Sequence, residues 1–225
     1  MYAAIKIQDI DKLEKKFAES EVKITNYLNN EMTNQIKVNS HNVVKVYDHF
    51  KNDQFYVCCL EYCNDGDLSK YIKKNYKQGQ VPEDDAIQIF KQIINSYQSL
   101  YENEIVHRDI KPDNIFVHNG VFKMGDFGLS KQILETDGTE TNLGSNVYKA
   151  PEIGKPRNYN YKVDIYSLGV VFFQILFGYK HTINEHRRTG KIVASNINLN
   201  TKGITIRENT VFQSDGCKLI NPLTG

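Results

Sequence analysis

Two short runs of polar and charged side chains carry most of the chemistry this sequence offers. The first is His107-Arg108-Asp109-Ile110-Lys111-Pro112-Asp113-Asn114, and the second, farther along the chain, is Asp126-Phe127-Gly128. An amide, Asn114, and a carboxylate, Asp126, on neighbouring loops are two hard oxygen donors. Such donors suit Mg²⁺ when phosphate and water oxygens complete its shell. A fixed residue recurs at a given place by chance about one time in twenty. A merely solvated charged loop is therefore a poor account of both runs occurring in this order.

In that order the runs resemble the eukaryotic protein kinase family, in its Ser/Thr branch, and the resemblance spans nearly the whole chain. It implies that Asp109 accepts the proton of a substrate hydroxyl and that Asn114 and Asp126 hold the metal ions. It also implies that Lys111 meets the transferring phosphate and that Lys111-Pro112 marks Ser/Thr rather than Tyr specificity. The cofactors implied are ATP and Mg²⁺, and the partner is a protein bearing Ser or Thr. The physics agrees, because phosphoryl transfer through a loose transition state asks the protein mainly to align nucleophile and phosphate and to spread negative charge.

The same resemblance extends in both directions from these runs. Ala150-Pro151-Glu152 resembles the tripeptide that closes an activation segment, and it encloses a hydroxyl-rich loop in which Thr141 stands shortly before Gly144. Thr141 is there either the acceptor of an activating phosphate, from another kinase or by autophosphorylation, or an unmodified polar residue. Arg108 and Lys131 would pair such a phosphate, and Ser145 replaces the usual threonine. The segment ETNLGS is similar to autophagy-initiating kinases, over a stretch too short to assign a subfamily.

Upstream, Ala3-Ala4-Ile5-Lys6 resembles the strand whose lysine grips the α- and β-phosphates. Its helix partner is expected at Glu31, with Glu19 and Glu21 as competitors. Glu61-Tyr62-Cys63 falls at the hinge after a Leu60 gatekeeper, so backbone groups of Glu61 and Cys63 would meet adenine and Asp67 the ribose. Ala4 and Phe116 would sandwich the purine, although for each alone ordinary core packing is the simpler account. Asp164 resembles a buried aspartate that bonds the catalytic-loop backbone, with a plain helix N-cap as the alternative.

The pattern also departs from the family. The sequence contains no G-x-G-x-x-G, and five residues precede Lys6. The expectation is a kinase domain cut at both ends, lacking its glycine-rich loop, with weak nucleotide binding. Glu152 would lack an arginine partner, and Gln35 falls where relatives carry an apolar residue.

Positioning these residues requires a packed body. The 225 residues are 40% apolar and 24% charged, as in ordinary globular domains. With 28 Lys plus Arg against 27 Asp plus Glu, the net charge is +1. This balance leaves no strongly positive field for nucleic acid or an anionic membrane surface. No apolar run reaches membrane-spanning length and no secretory signal is recognisable, so a cytoplasmic protein is expected. Cys58, Cys59, Cys63 and Cys217 are expected as buried free thiols.

Residues 10 to 37 have helical spacing at Leu13, Phe17, Ile24 and Leu28. VVKVYDHF and FYVCCLEY read as a strand pair joined through KNDQ. Pro82 and the acids after it open a helix whose apolar face is Ala86, Ile89, Phe90, Ile93, Ile94, Tyr97, Leu100 and Tyr101. The run VDIYSLGVVFFQILF is apolar on nearly every side and reads as a buried helix, and a further helix is expected near Ser214 to Leu219. The fold expected is α+β, a protein kinase-like two-lobe fold. Residues 1–62 form an incomplete small β-rich N-lobe, and residues 63–225 form the hinge and a mainly helical C-lobe.

Two other functions compete with the kinase. A catalytically impaired kinase-like binding module would explain the missing glycine loop but leaves Lys6, Asp109, Asn114 and Asp126 without a reason. A small-molecule phosphotransferase of related fold should lack both Lys111-Pro112 and Ala150-Pro151-Glu152.

Overall fold

The computed structural model describes residues 2–16, 24–79, 81–129, 131–132, 147–153 and 160–178. The chain opens with strand β1 (Ala3–Asp9), helix α1 (Ile10–Lys16) and helix α2 (Ile24–Lys37), followed by strands β2 (Val46–Lys51) and β3 (Phe55–Glu61). The strands form an antiparallel sheet in the order β1-β3-β2, with Lys6 opposite Cys58 and Ala4 opposite Leu60. The expected hairpin between β2 and β3 is made by Asn52, whose side-chain oxygen accepts the N–H groups of Gln54 and Phe55 at 2.9 and 2.6 Å. The strand expected over Ala3 to Lys6 runs on to Asp9.

Because alternate residues of a strand face opposite ways, β1 must choose which set to bury. It leaves Ile5 and Ile7 56% and 62% exposed and turns Lys6 toward α2. A small core of Ile10, Leu28, Met32, Tyr56 and Cys58 lies between this sheet and the two helices. Of the three cysteines described, Cys58 is buried as expected, whereas Cys59 and Cys63 are half-buried; all three are free. Burial pushes the thiols of Cys58 and Cys63 up to about 11, so both stay protonated near neutral pH.

After β3 comes α3 (Leu68–Asn75), then α4 (Glu83–Glu102), which follows Pro82 and has Glu83, Asp84 and Asp85 in its first turn. Its buried face includes Ala86, Ile89, Ile93, Tyr97 and Leu100, as the periodicity predicts, whereas Tyr101, expected on the same face, is 50% exposed. Short strands follow: β4 (Ile105–Val106), β5 (Ile115–His118), β6 (Val121–Met124) and β7 (Lys131–Gln132). β5 and β6 form a hairpin turning through Asn119 and Gly120, both at positive φ. That is the Asn-Gly pair a tight hairpin favours.

Helix α5 (Lys162–Phe177) is buried over most of its length. Its polar residues are satisfied inside: Ser167 Oγ donates to the Tyr148 carbonyl, and the Tyr148 hydroxyl donates to Gln174. Phe90 of α4 stacks on Phe172 of α5 with centroids 4.3 Å apart. This larger core also takes in Val38 and Val43, so the segment after α2 packs with the helical body although it precedes residue 62. The architecture is α+β, with a sheet-and-helix body and a helical body, as expected. Among the described residues no helix is long and apolar enough to cross a membrane. Cys217 and the helix expected near Ser214 to Leu219 lie outside the described residues.

Candidate active site

The site is assembled where the two cores meet. The 107–114 loop leaves β4 and is fixed from beneath by α5. Asp164 accepts the N–H of His107 on Oδ2 at 2.7 Å and that of Arg108 on Oδ1 at 2.8 Å. The helix begins at Lys162 after Tyr161. Asp164 is therefore inside the first turn, and the N-cap alternative is replaced by this two-bond anchor. Burial pushes the Asp164 carboxyl up, and His107 with the two N–H groups pulls against it.

His107 sits under the loop, fully buried. The Asp109 N–H donates to His107 Nδ1 at 3.3 Å, so the ring proton belongs on Nε2, which lies 3.2 Å from the Gly125 carbonyl. The His107 ring also packs on Phe127 with centroids 5.1 Å apart. The two polar runs are thus physically one unit.

Within the loop, Asp109 Oδ2 accepts from Lys111 Nζ at 2.6 Å and from Asn114 Nδ2 at 2.9 Å, while Nδ2 also donates to the Asp109 carbonyl at 2.8 Å. Two consequences follow from the inventory of these groups. Asp109 keeps Oδ1 for another donor. Asn114 has used both amide hydrogens and keeps Oδ1 as its only side-chain acceptor.

Opposite stands the group formed around Lys6. Its Nζ lies 2.5 Å from Glu31 Oε1 and 2.8 Å from Asp126 Oδ1. This geometry selects Glu31 as the helix partner; Glu19 and Glu21 lie outside the described residues. Burial opposes the charge on Lys6, but Glu31 and Asp126 outweigh it and hold the ammonium above its ordinary range. Burial pushes the Glu31 carboxyl up, and Lys6 and Gln8 only partly offset it. Asp126 also feels burial, yet Lys6, His107 and Lys111 hold its carboxyl below the ordinary value.

The backbone at Asp126 is left-handed at φ 58°, as it is at Arg108 at φ 65°. Such strain is maintained only where surrounding contacts over-determine it, and it gathers at functional sites. The preceding residue must be small, since a Cβ on Gly125 would meet the Phe116 ring and Val44 at 3.0 Å.

A divalent cation fits this donor set. Asp126 is 42% exposed on its side chain and has one oxygen on Lys6, which leaves its other oxygen and the spare Asn114 oxygen as hard donors, and the Gly125 N–H ties the residue before Asp126 to the Asn114 carbonyl at 2.9 Å. Among the described residues no cluster of three or more His, Cys, Asp or Glu makes an all-protein cage. A cation held here completes its shell with phosphate and water oxygens, which is the habit of Mg²⁺.

The remaining expected residues divide. Glu61 ends β3 with its N–H bonded to the Lys45 carbonyl at 2.8 Å and its own carbonyl facing the Cys63 thiol. Cys63 lies two residues on, its thiol directed at that carbonyl from 4.0 Å. Ala4 on β1 and Phe116 on β5 are half-buried, one from each body. Asp67 is engaged elsewhere: it caps α3 by accepting the Lys70 N–H at 2.9 Å and pairs with Lys70 Nζ at 2.6 Å. A ribose there would share a carboxylate that α3 already uses. Glu152 Oε2 is buried without a hydrogen bond among the described residues. Thr141 and Ser145 lie outside the described residues, as does the Lys131 side chain.

Sequence reasoning missed Lys123. Its ammonium is buried, donates to the His41 carbonyl at 2.6 Å and pairs with Glu61 Oε1 at 3.2 Å beneath the hinge. A lysine inside the apolar run VFKM was the available signal. It also missed Lys149, half-buried between the buried Tyr148 and Ala150. Burial pushes the Lys149 ammonium down, with Asp109 opposing and Lys111 adding to the fall.

Comparison with known proteins gives a consistent answer. The family model described as "Protein kinase domain" matches residues 2–223. Serine/threonine-protein kinase atg1 of Dictyostelium discoideum is 34% identical over 182 residues, covering 78% of this chain and 26% of that protein. Serine/threonine-protein kinase ATG1c of Arabidopsis thaliana is 34% identical over 179 residues, covering 78% and 23%. Serine/threonine-protein kinase PrkC of Bacillus subtilis (strain 168) is 39% identical over 140 residues, covering 61% and 21%. The chain spans about a quarter of the length of these relatives.

Proposed function

The chain belongs to the protein kinase domain family, in its Ser/Thr branch, and on that premise we propose that it transfers the γ-phosphate of ATP to Ser or Thr hydroxyls of proteins. The observation that carries the reading is the convergence of Lys6, Glu31 and Asp126 at 2.5 and 2.8 Å across from the Asp109, Lys111 and Asn114 cluster.

In this reading Asp109 Oδ1 receives the proton of the incoming hydroxyl while Oδ2 is held by Lys111 and Asn114, so the base is oriented before substrate arrives. Lys111 lies beside that oxygen and balances charge on the group in transfer. Lys6, steadied by Glu31, grips the α- and β-phosphates. Asn114 and Asp126 would hold Mg²⁺, which when bound neutralises phosphate charge. The Glu61 carbonyl and the Cys63 N–H would meet adenine between Ala4 and Phe116, and Asp67 would meet the ribose.

Residues 1–62 act as the smaller lobe and 63–225 as hinge and larger lobe. Thr141 would be an acceptor for an activating phosphate, from another kinase or by autophosphorylation. The site of action is the cytoplasm, a compartment that fits three free cysteines among the described residues. An inert binding module gains nothing from a site in which every catalytic side chain is present.

The test is an assay of this chain at saturating Mg·ATP with a generic basic protein, read by mass spectrometry of phosphoserine and phosphothreonine. Transfer that disappears with EDTA and in Asp109→Asn supports the reading. Transfer that survives in Asp109→Asn, or phosphate found only on tyrosine, overturns it.

A further inference from the structure

The segment 42–45 is tied to β6, to the end of β3 and to α2. The Met124 N–H donates to the Asn42 carbonyl at 2.8 Å, and the Val44 N–H donates to the Met124 carbonyl at 2.9 Å, two residues before Asp126. On the next residue, the Lys45 N–H reaches Glu61 Oε2 at 3.2 Å and the Lys45 carbonyl takes the Glu61 N–H at 2.8 Å. One backbone group of Val44 and Lys45 remains, the Val44 carbonyl. It accepts from the side-chain amide of Gln35 at 2.8 Å in a buried setting.

Gln35 is 3% exposed and lies one turn after Glu31 on α2, so the two share a helix face. This is the position where the family resemblance predicts an apolar residue. A buried amide without partners would be unfavourable; here its donor serves the Val44 carbonyl, which no other group among the described residues is seen to reach.

We propose that Gln35 is a positioning residue: by tying α2 to the Val44 carbonyl it fixes the rotation of the helix that presents Glu31 to Lys6. The inference rests on the kinase reading for its consequence in catalysis, whereas the tie itself is a property of the fold. Neither Gln35 nor Val44 touches the reacting groups. The effect reaches them along Val44, Met124 at the end of β6 and the two residues that lead on to Asp126 on one side, and along α2 to Glu31 on the other.

Gln35→Met keeps volume and flexibility but cannot donate. Hydrogen–deuterium exchange is expected to quicken at least fivefold over residues 24–37 in this variant, with residues 83–102 unchanged. The kcat for the basic protein is expected to fall about tenfold with its KM changed less than twofold. In a Glu31→Gln background the same substitution should add less than a further twofold, because the helix then has no carboxylate to aim.

Unchanged exchange over 24–37, an unchanged kcat, or losses that multiply independently of Glu31 would each overturn the proposal. A wild-type chain inert at saturating Mg·ATP would sink the kinase reading while the exchange experiment still decides the tie. If Gln35→Met does not fold, the wild-type side-chain amide decides instead. Its protons should exchange at least tenfold more slowly than those of exposed Gln54, and equal rates overturn the tie.

Discussion

Asp164 Oδ1 accepts the Arg108 N–H at 2.8 Å and so holds, from 56 residues away in sequence, the left-handed backbone immediately before Asp109. A non-glycine residue in that region is strained by about 1–3 kcal/mol, and the buried carboxylate is what offsets it. Asp164→Ala should orphan the N–H groups of both His107 and Arg108 and cost about 2–4 kcal/mol in urea unfolding. Asp164→Asn, which keeps one acceptor, should cost about half as much. A near-native unfolding midpoint for the alanine variant would mean the loop is held by something else.

Asp109→Asn tests the proton acceptor directly. Positioned bases contribute about 10²–10⁴-fold, so phosphoryl transfer should fall by at least that factor while the melting temperature moves little. ATP affinity, measured by titration with a non-hydrolysable analogue, should stay within threefold of wild type. A variant that loses nucleotide affinity and activity together would point to a binding rather than a proton-transfer role.

Glu31→Gln should separate activity from stability. Loss of the carboxylate frees Lys6 to move, and displacement on the order of 1 Å costs about 10²-fold in rate. The stability effect has a sign set by burial. A carboxyl whose folded pKa is raised binds its proton more tightly in the folded chain, so its contribution to stability declines as pH rises upward from the ordinary value of 4.5. The glutamine variant has no titrating group at this position. The difference in urea midpoint between variant and wild type should therefore shift in favour of the variant as pH is raised from 4.5 toward 7. A difference that stays constant with pH would show that Glu31 does not titrate above its ordinary range.

Lys123→Met removes the ammonium beneath the hinge and leaves Glu61 Oε1 and the His41 carbonyl without their donor. The expected cost is about 2 kcal/mol, below that of a wholly buried pair because Glu61 keeps some contact with water. KM for ATP should rise severalfold with kcat nearly unchanged, since the hinge and not the transfer site is disturbed. Adding Glu61→Gln should restore part of the stability. No restoration would mean that Lys123 acts through the His41 carbonyl alone.

The readable parts of the fold were those whose cause is local. Ala86, Ile89, Ile93, Tyr97 and Leu100 repeat at helical spacing and do form one buried face of α4. KNDQ carries the asparagine that closes the β2–β3 hairpin. Local reasoning failed where the other side of a contact decides. Ile5 and Ile7 ought to point inward on apolarity alone, yet β1 turns them outward because the inward positions carry Lys6 and Gln8 toward α2. The cap that Asp67 makes on α3, with Lys70 one helical turn on, also went unread. Lys123 went unnoticed because its partners, Glu61 and the His41 carbonyl, lie far from it in sequence.

The amino-acid order by itself determined which chemical groups are available and that they come in two runs, because a loop of eight residues fixes its own side chains relative to one another within a few ångströms. It pointed to Glu31 with Glu19 and Glu21 as competitors, and it left Asp164 between bonding the catalytic-loop backbone and capping a helix. Those choices belong to the packing, since Lys6 meets Glu31 across 25 residues and Asp126 across 120. Contacts at such separation exist only once helices and sheet have buried their apolar faces and thereby fixed which polar faces must meet.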